Sequence, residues 1–296
     1  MNEKRIKVFG KLPLKRHSTD SAEKRKVQRE KRLIRRIKLL RRRSEQREAY
    51  NRFLKSIGEY SLLMQQVFKK PQRWKMFFRR LLDEIMILGV NSIWIVLIIS
   101  FFIGTVITIQ LAINMSNPLI PRFTIGYATR EIVLLEFSSS IMCLILAGKI
   151  GSSIASELGT MRVTEQIDAL EVMGVNSANY LILPKIVGLL VFIPVLSILS
   201  MGISIGGAYL ATFIIPNMTT ADFEYGMQLF FKPYNIFYSL IKSAVYAFII
   251  TSGSSYYGYT VKGGALAVGK ASTNAVVTSS VLILLADVLL TNLLLI

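Results

Sequence analysis

Five stretches of this chain are apolar for long enough to cross a bilayer: about Ile85 to Ile113, Ile132 to Ala155, Pro184 to Ile215, Ile236 to Ser255 and Asn274 to Ile296. A helical span needs about 20 mostly apolar residues, because each residue rises about 1.5 Å through a hydrocarbon layer about 30 Å thick. Ahead of them, residues 57–84 interleave Tyr60, Leu62, Leu63, Val67, Phe68, Trp74, Phe77, Phe78 and Leu81 with Lys69, Lys70, Arg73, Lys75, Arg79 and Arg80. Apolar and aromatic positions flanked by cations predict an amphipathic helix lying in the plane of the membrane surface, broken at Pro71. From Ala22 to Phe53 there is no Gly or Pro, and Lys, Arg, Glu and Gln dominate. The expected fold is therefore an all-α integral membrane protein: a basic cytoplasmic arm over 1–56, an interfacial helix over 57–84, and five spans over 85–296.

Composition agrees and sets the orientation. Of 296 residues, 52% are hydrophobic and 18% charged, against about 25% charged in soluble domains. Residues 1–56 hold 21 Lys and Arg against 6 Asp and Glu, and the other 240 hold 15 against 12. Of the formal charge of +18, the arm thus holds +15 and the rest of the chain only +3. By the positive-inside rule the arm is cytoplasmic. That puts the Gly151–Lys185 and Tyr256–Thr273 connections on the same side, with Arg162, Lys185, Lys262 and Lys270 facing the cytoplasm and Arg122, Arg130 and Lys232 outside. The arm's cations suit anionic headgroups at about 1 kcal/mol each. Its few aromatics suit base stacking poorly, so no nucleic-acid partner is expected. Cys143 and His17 are the only residues of their kinds, which excludes a disulfide framework, a zinc set and Cys/His catalysis. Residues 1–56 lack the apolar core of a secretory signal, and the arm is expected to be retained.

The most informative polar stretch is Gly148 to Pro184, GKIGSSIASELGTMRVTEQIDALEVMGVNSANYLILP. Thr164 is placed to cap a helix of about ten residues, with Glu165 and Asp168 in its first turn and Gly174 closing it. Ile167, Leu170 and Met173 fall on or near one face, leaving Glu165, Asp168 and Glu171 exposed. Too short to span, such a helix lies against the membrane or enters a groove on a cytoplasmic partner. Glu136, Lys242 and Asp287 lie within apolar stretches, where a charge costs about 2.5 to 3.5 kcal/mol and belongs in a bundle interior or a watery cavity. Gly202 to Gly206 forms a G-x-x-x-G run suited to close packing within the chain or between two copies. Tyr256, Tyr257 and Tyr259 read as an interfacial belt. Gly264 to Ala271 imitates a phosphate loop. It has Ala271 where a magnesium-binding hydroxyl belongs, and it lies between two spans rather than between strand and helix. The chain itself is therefore expected to bind no cofactor and to catalyse nothing.

The loop resembles the signature AGRxGSxxxAExGxMxxTEQxxALxxMGVxxxxxLxxPR of the MlaE/YrbE family of ABC-transporter permeases. The matching residues are Ala147, Gly148, Gly151, Ser152, Glu157, Gly159, Met161, Thr164, Glu165, Gln166, Ala169, Leu170, Met173, Gly174, Val175, Leu181 and Pro184. Lys149, Ser156 and Lys185 depart mildly from it. The likeness extends over Leu88 to Ile296: Gln110 follows the first span as in the family, Ile241-Lys242-Ser243 matches IKS, Gly263-Gly264 to Gly269 with Thr273 matches GGxxxVGxxTT, and Ala286 to Thr291 corresponds to LDFVLT. The family's R-E-L-G-P appears here as Leu135-Glu136-Phe137-Ser138-Ser139, which keeps the acid and loses its neighbours.

The resemblance implies a homodimer in the bacterial inner membrane that moves phospholipid or a related lipid with a periplasmic MCE-domain lipid-binding partner. It also implies docking of a cytoplasmic ABC ATPase, which binds the ATP and magnesium, through Glu157, Gly159, Met161, Thr164, Glu165, Gln166, Asp168, Ala169, Leu170, Glu171, Met173 and Gly174. Gln110 and Glu136 become candidates for a lipid pocket, and Lys242 and Asp287 remain intramembrane polar candidates. Two other readings stay open: a membrane scaffold that recruits partners through its arm, and an ion-coupled carrier using Glu136, Lys242 and Asp287.

Overall fold

The computed structural model describes residues 51, 54–71, 74–115, 117, 119–216 and 218–295. The basic arm falls almost wholly outside the described residues. Two compact units are present, Met1–Tyr60 and Ser61–Ile296. In the first, residues 54–60 are helical, and Lys55 and Glu59 pair across one exposed turn at 3.9 Å.

Among its described residues the second unit is made of helices joined by turns, with no strand. A short helix α1 covers 61–67. Five helices are long and apolar enough to span: α2 (Trp74–Asn114), α3 (Phe123–Val163), α5 (Ser177–Ala211), α7 (Tyr234–Tyr259) and α8 (Ala265–Leu295). Between them sit two short ones, α4 (Gln166–Val172) and α6 (Thr220–Gln228). Five spans put the α3–α5 and α7–α8 connections on one side, here the near side, and the α2–α3 and α5–α7 connections on the far side.

Pro71 does break the amphipathic region, but the part beyond it is no separate surface helix. Residues 74–84 continue directly into the first span as one helix of 41 residues, because no further proline interrupts them. Ahead of the break, α1 buries Leu63, Met64 and Val67 and is tied to the start of α5. The Asn179 side-chain amide donates to the carbonyls of Val67 and Lys69, both at 2.6 Å, and that of Asn176 donates to Gln66 at 3.1 Å. These bonds satisfy carbonyls that the end of a helix leaves open.

The third span begins seven residues before Pro184, not at it. Asn176 caps α5, its side-chain oxygen accepting from the Asn179 amide at 3.2 Å. Pro184 then sits inside the helix and offers no N–H to the Tyr180 carbonyl. Arg80 of α2 donates to that carbonyl at 3.4 Å, its guanidinium 3.9 Å from the centre of the Tyr180 ring. The interior proline is thus tolerated because a neighbouring helix supplies a donor.

Helix α2 crosses α5 at a seam of small residues. Ser100 and Ser200 share a hydrogen bond of 2.7 Å, and Thr105 donates to the Gly207 carbonyl at 3.0 Å. A β-carbon on Gly104 would stand 1.9 Å from the Ser204 carbonyl oxygen, and one on Gly207 would stand 2.2 Å from that of Phe101. The G-x-x-x-G glycines take no part, since β-carbons on Gly202 and Gly206 would meet nothing within 4 Å. Helical period explains the correction: Ser200, Ser204 and Gly207 share the face towards α2, and Gly202 and Gly206 point elsewhere. Gly104→Ala is expected to lower stability by about 1–3 kcal/mol, the usual cost of overpacking. Gly202→Ala should stay within about 0.5 kcal/mol. Unfolding of the detergent-solubilised protein compares the two.

Helix α3 also exceeds its expected span, running 41 residues. Its first turns cross α6 so closely that a β-carbon on Gly226 would lie 1.9 Å from the Phe123 carbonyl oxygen. Arg130, fully buried, donates to the carbonyls of Met227 and Leu229 at 2.7 and 2.8 Å and pairs with Glu131 at 2.6 Å. A cation there closes the C-terminus of α6 and meets its dipole. Within α3, Val133–Ile141 and Ala147–Gly151 are wound as π-helix, as is Ile85–Gly89 in α2. Such turns shift the backbone hydrogen bonds by one residue and often mark functional positions. Ser197 of α5 donates to the Ser138 carbonyl within the longest of them, at 2.8 Å.

Candidate functional site

The near-side connection between α3 and α5 is built as a rigid corner. Helix α3 ends at Val163, and the Thr164 hydroxyl donates back to the Thr160 carbonyl at 2.9 Å instead of capping the next helix. Glu165 makes the turn, adopting a left-handed backbone with φ 59°, which costs a non-glycine residue about 1–2 kcal/mol. Helix α4 then has seven residues, not ten. Gly174, at φ 75°, closes it with two reverse bonds: the Val175 amide to Leu170 at 3.1 Å and the Gly174 amide to Glu171 at 2.9 Å. Ile167 is fully buried and Leu170 half-buried. Met173, expected beside them, is 68% exposed because the helix has ended, and Val172 is 90% exposed. The outward surface therefore combines Glu165, Gln166, Asp168, Ala169 and Glu171 with two bare apolar side chains.

Two of its acids are held from within. Arg162 pairs with Asp168 at 2.6 Å. Glu171 accepts from Ser177 at 2.9 Å and from the Tyr259 hydroxyl at 3.0 Å. Tyr259 is thus part of the corner and not simply a member of an interfacial belt. Gly159 packs where a β-carbon would come within 3.0 Å of Val268. Glu157, two residues earlier, accepts from Lys185 at 2.8 Å. Lys185 is buried rather than facing the cytoplasm, with both carboxylate oxygens of Glu84 at 2.7 Å. One ammonium group therefore joins α2, α3 and α5 just inside the corner.

A second charged cluster lies deeper and joins α3, α7 and α8. Lys242, with no exposed surface, reaches Asp287 at 2.5 Å and both oxygens of Glu136 at 3.1 Å. The Tyr238 hydroxyl stands 3.1 Å from the same nitrogen and 2.9 Å from Thr291. Tyr246 donates to Asp287 at 2.7 Å, and the Ser140 hydroxyl lies 3.2 Å from Glu136 and 3.0 Å from Asp287. Each helix contributes residues four apart, hence on one face. Two carboxylates share one ammonium group, and Glu136 is the half-exposed member, its side chain 39% accessible. The pairing of Lys242 with Asp287 and Glu136 answers why three charges are tolerated inside a membrane helix bundle.

The Permease MlaE family description matches residues 81–293. The chain belongs to the MlaE permease family. A "Probable ABC transporter permease protein" of Rickettsia bellii is 32% identical over 246 residues, covering 82% of this chain and 93% of the relative. Another protein of that description, from Synechocystis sp., is 32% identical over 222 residues, covering 75% and 84%. "Protein TRIGALACTOSYLDIACYLGLYCEROL 1, chloroplastic" of Arabidopsis thaliana is 31% identical over 227 residues, covering 77% and 65%.

In this MlaE-family permease the candidate residues separate into groups. Glu157, Gly159 and Met161 occupy the last turns of α3, Thr164 and Glu165 the joint, Gln166 to Glu171 helix α4, and Met173 and Gly174 its close. Glu136, Lys242 and Asp287 meet. Gln110 does not join them: it lies within the last turns of α2 rather than after the span, and it is exposed. Sequence reasoning missed Glu84, Tyr238, Tyr246, Ser140 and Thr291. The spacing of Tyr238, Lys242 and Tyr246, four apart in a helix, was the available signal for two of these.

Proposed function

We propose that this permease moves phospholipid or a related lipid between the inner and outer membranes, powered by a separate cytoplasmic ABC ATPase. The observation that carries the reading is the exposed surface of Glu165 to Met173, presented on a corner braced by α3, α5 and α7. A seven-residue helix with bare Val172 and Met173 beside acids has the make-up of a helix received by a groove. The galactolipid in the name of the Arabidopsis relative supports a lipid cargo. ATP and magnesium belong to the partner. In this chain the stretch that imitates a phosphate loop runs mostly within α8, a membrane helix. The homodimer, the periplasmic MCE-domain partner and a cytoplasmic N-terminus complete the proposal.

Glu165→Lys reverses the charge at the joint and is expected to cut ATPase co-purification at least about tenfold, the factor given by 1.4 kcal/mol. Unchanged co-purification would reject docking at this corner. Mass spectrometry of lipid retained by the purified transporter tests the cargo, and recovery of no phospholipid would count against it.

A further inference from the structure

The last two spans are fastened to each other by a ladder of tyrosines. From α7, Tyr234 donates to the Leu294 carbonyl at 3.1 Å, and the Tyr238 hydroxyl shares a bond of 2.9 Å with Thr291. Tyr246 donates to Asp287 at 2.7 Å, and the Tyr257 hydroxyl shares a bond of 2.9 Å with Thr278. These rungs run from one end of α7 to the other, and the Lys242–Asp287 pair at 2.5 Å stands among them. Such bonds hold helices together inside a bilayer, where apolar burial alone gives them little reason to associate.

Towards α3 the same pair of helices is held differently. At the cluster, Lys242 reaches Glu136 at 3.1 Å and Ser140 donates to Asp287 at 3.0 Å, and nearer the corner Ser272 donates to the Ser152 carbonyl at 3.3 Å. Between these points α7 meets α3 through small residues. A β-carbon on Gly258 would lie 2.8 Å from the Ala155 carbonyl oxygen, and one on Gly151 would lie 2.9 Å from the Ser254 hydroxyl. That hydroxyl is buried and has no hydrogen-bond partner among the described residues. Small side chains and an unpaired hydroxyl make a seam that does not pin α7 to α3 at one register. At its near-side end, however, α7 reaches α4. The Tyr259 hydroxyl, its last side chain, bonds Glu171 of α4 at 3.0 Å and Ser177 at 2.7 Å, and the Arg162 guanidinium lies 5.8 Å from the centre of its ring. Helix α7 contains no proline and is wound as α-helix throughout, so it joins Tyr259 to Lys242 as a strut of about 25 Å.

We infer that Tyr259 is a positioning residue for coupling: its hydroxyl hands a displacement of α4 to the α7–α8 pair, which shifts as one body against α3 and carries Lys242 and Asp287 together away from Glu136. Helix α3 leaves the corner through the backbone at Glu165, whereas α7 and α8 meet it through a side chain, so the two sides of the charged cluster receive the movement separately. This role rests on docking of the ATPase at α4 and is independent of the cargo.

The test uses the full chain with its co-purifying ATPase in phospholipid nanodiscs, spin-labelled through Ser153→Cys of α3 and Val288→Cys of α8. Both positions are exposed, while Cys143 is buried and stays unlabelled. One labelled chain per complex keeps the measured distance within a single copy. Trapping with ATP and vanadate is expected to change that distance by at least about 1–2 Å, the size of a helix shift between two packed states. Tyr259→Phe, which keeps the ring and loses the hydroxyl, should abolish the change while ATPase co-purification and the thermal midpoint stay as in the unmutated chain. Ser177→Ala, which removes one partner of that hydroxyl and leaves Glu171, should keep the change. An undiminished change in Tyr259→Phe, its loss only together with a lowered midpoint, its loss in Ser177→Ala, or no change in the unmutated complex would overturn the role of Tyr259 and leave docking standing. Absence of the ATPase from the purified unmutated protein would instead reject docking, and the role of Tyr259 with it.

Discussion

Lys242→Met is expected to cost about 3–5 kcal/mol, the penalty for removing one partner of a buried ion pair. The lysine has no exposed surface and is the shared counter-charge of Glu136 and Asp287. Its loss leaves two carboxylates facing each other among α3, α7 and α8. Yield of inserted protein and its unfolding midpoint in detergent should both fall. Adding Glu136→Gln and Asp287→Asn should recover most of the loss, because neutralising every member removes the unpaired charge. Glu136→Gln alone should be mild, since the 2.5 Å contact between Lys242 and Asp287 survives. If that variant folds normally yet loses transport, Glu136 serves the lipid path. If it folds and transports normally, its charge is needed for neither.

Lys185→Met should be comparably damaging, at about 3–5 kcal/mol. Its ammonium group is 1% exposed and holds Glu84, 11% exposed, and Glu157, 44% exposed. Most of the penalty comes from Glu84, which has the less water to fall back on. Glu84→Gln added to Lys185→Met should therefore restore more stability than Glu157→Gln added to it. Equal rescue would show that the desolvation of Glu84 does not dominate. The measurement is the unfolding midpoint of the three purified variants.

The existence and order of the spans could be read from runs of apolar residues, because length against bilayer thickness is a strong constraint. Their ends were less legible. Pro184 looked like a start, although an asparagine cap eight residues before it, Asn176, already opens α5, and Arg80 compensates the missing amide. The second span was expected from Ile132, yet α3 begins at Phe123, and Arg130 in its first turns is buried by bonds to carbonyls about 100 positions away. The short helix was expected from its acids and apolar spacing, but Glu165 rather than Thr164 stands at its cap position, and Thr164 closes α3. Nothing in composition announces a left-handed glutamate or a π-wound turn, since neither has a residue signature of its own. The charged cluster was half visible: Glu136, Lys242 and Asp287 stood out as costly, while which of them pair depends on helix rotation.

Helix α3 carries one further consequence. Its 41 residues make a rod about 62 Å long, roughly twice the hydrocarbon thickness. One end is bolted to α6 through Arg130, Glu136 lies about a third of the way along, and the other end turns directly into the corner at Glu165. A torque applied at that corner has no slack loop in which to dissipate before it reaches the opposite face of the membrane. The π-wound stretches are where the winding of this rod changes, and the longest of them carries Glu136.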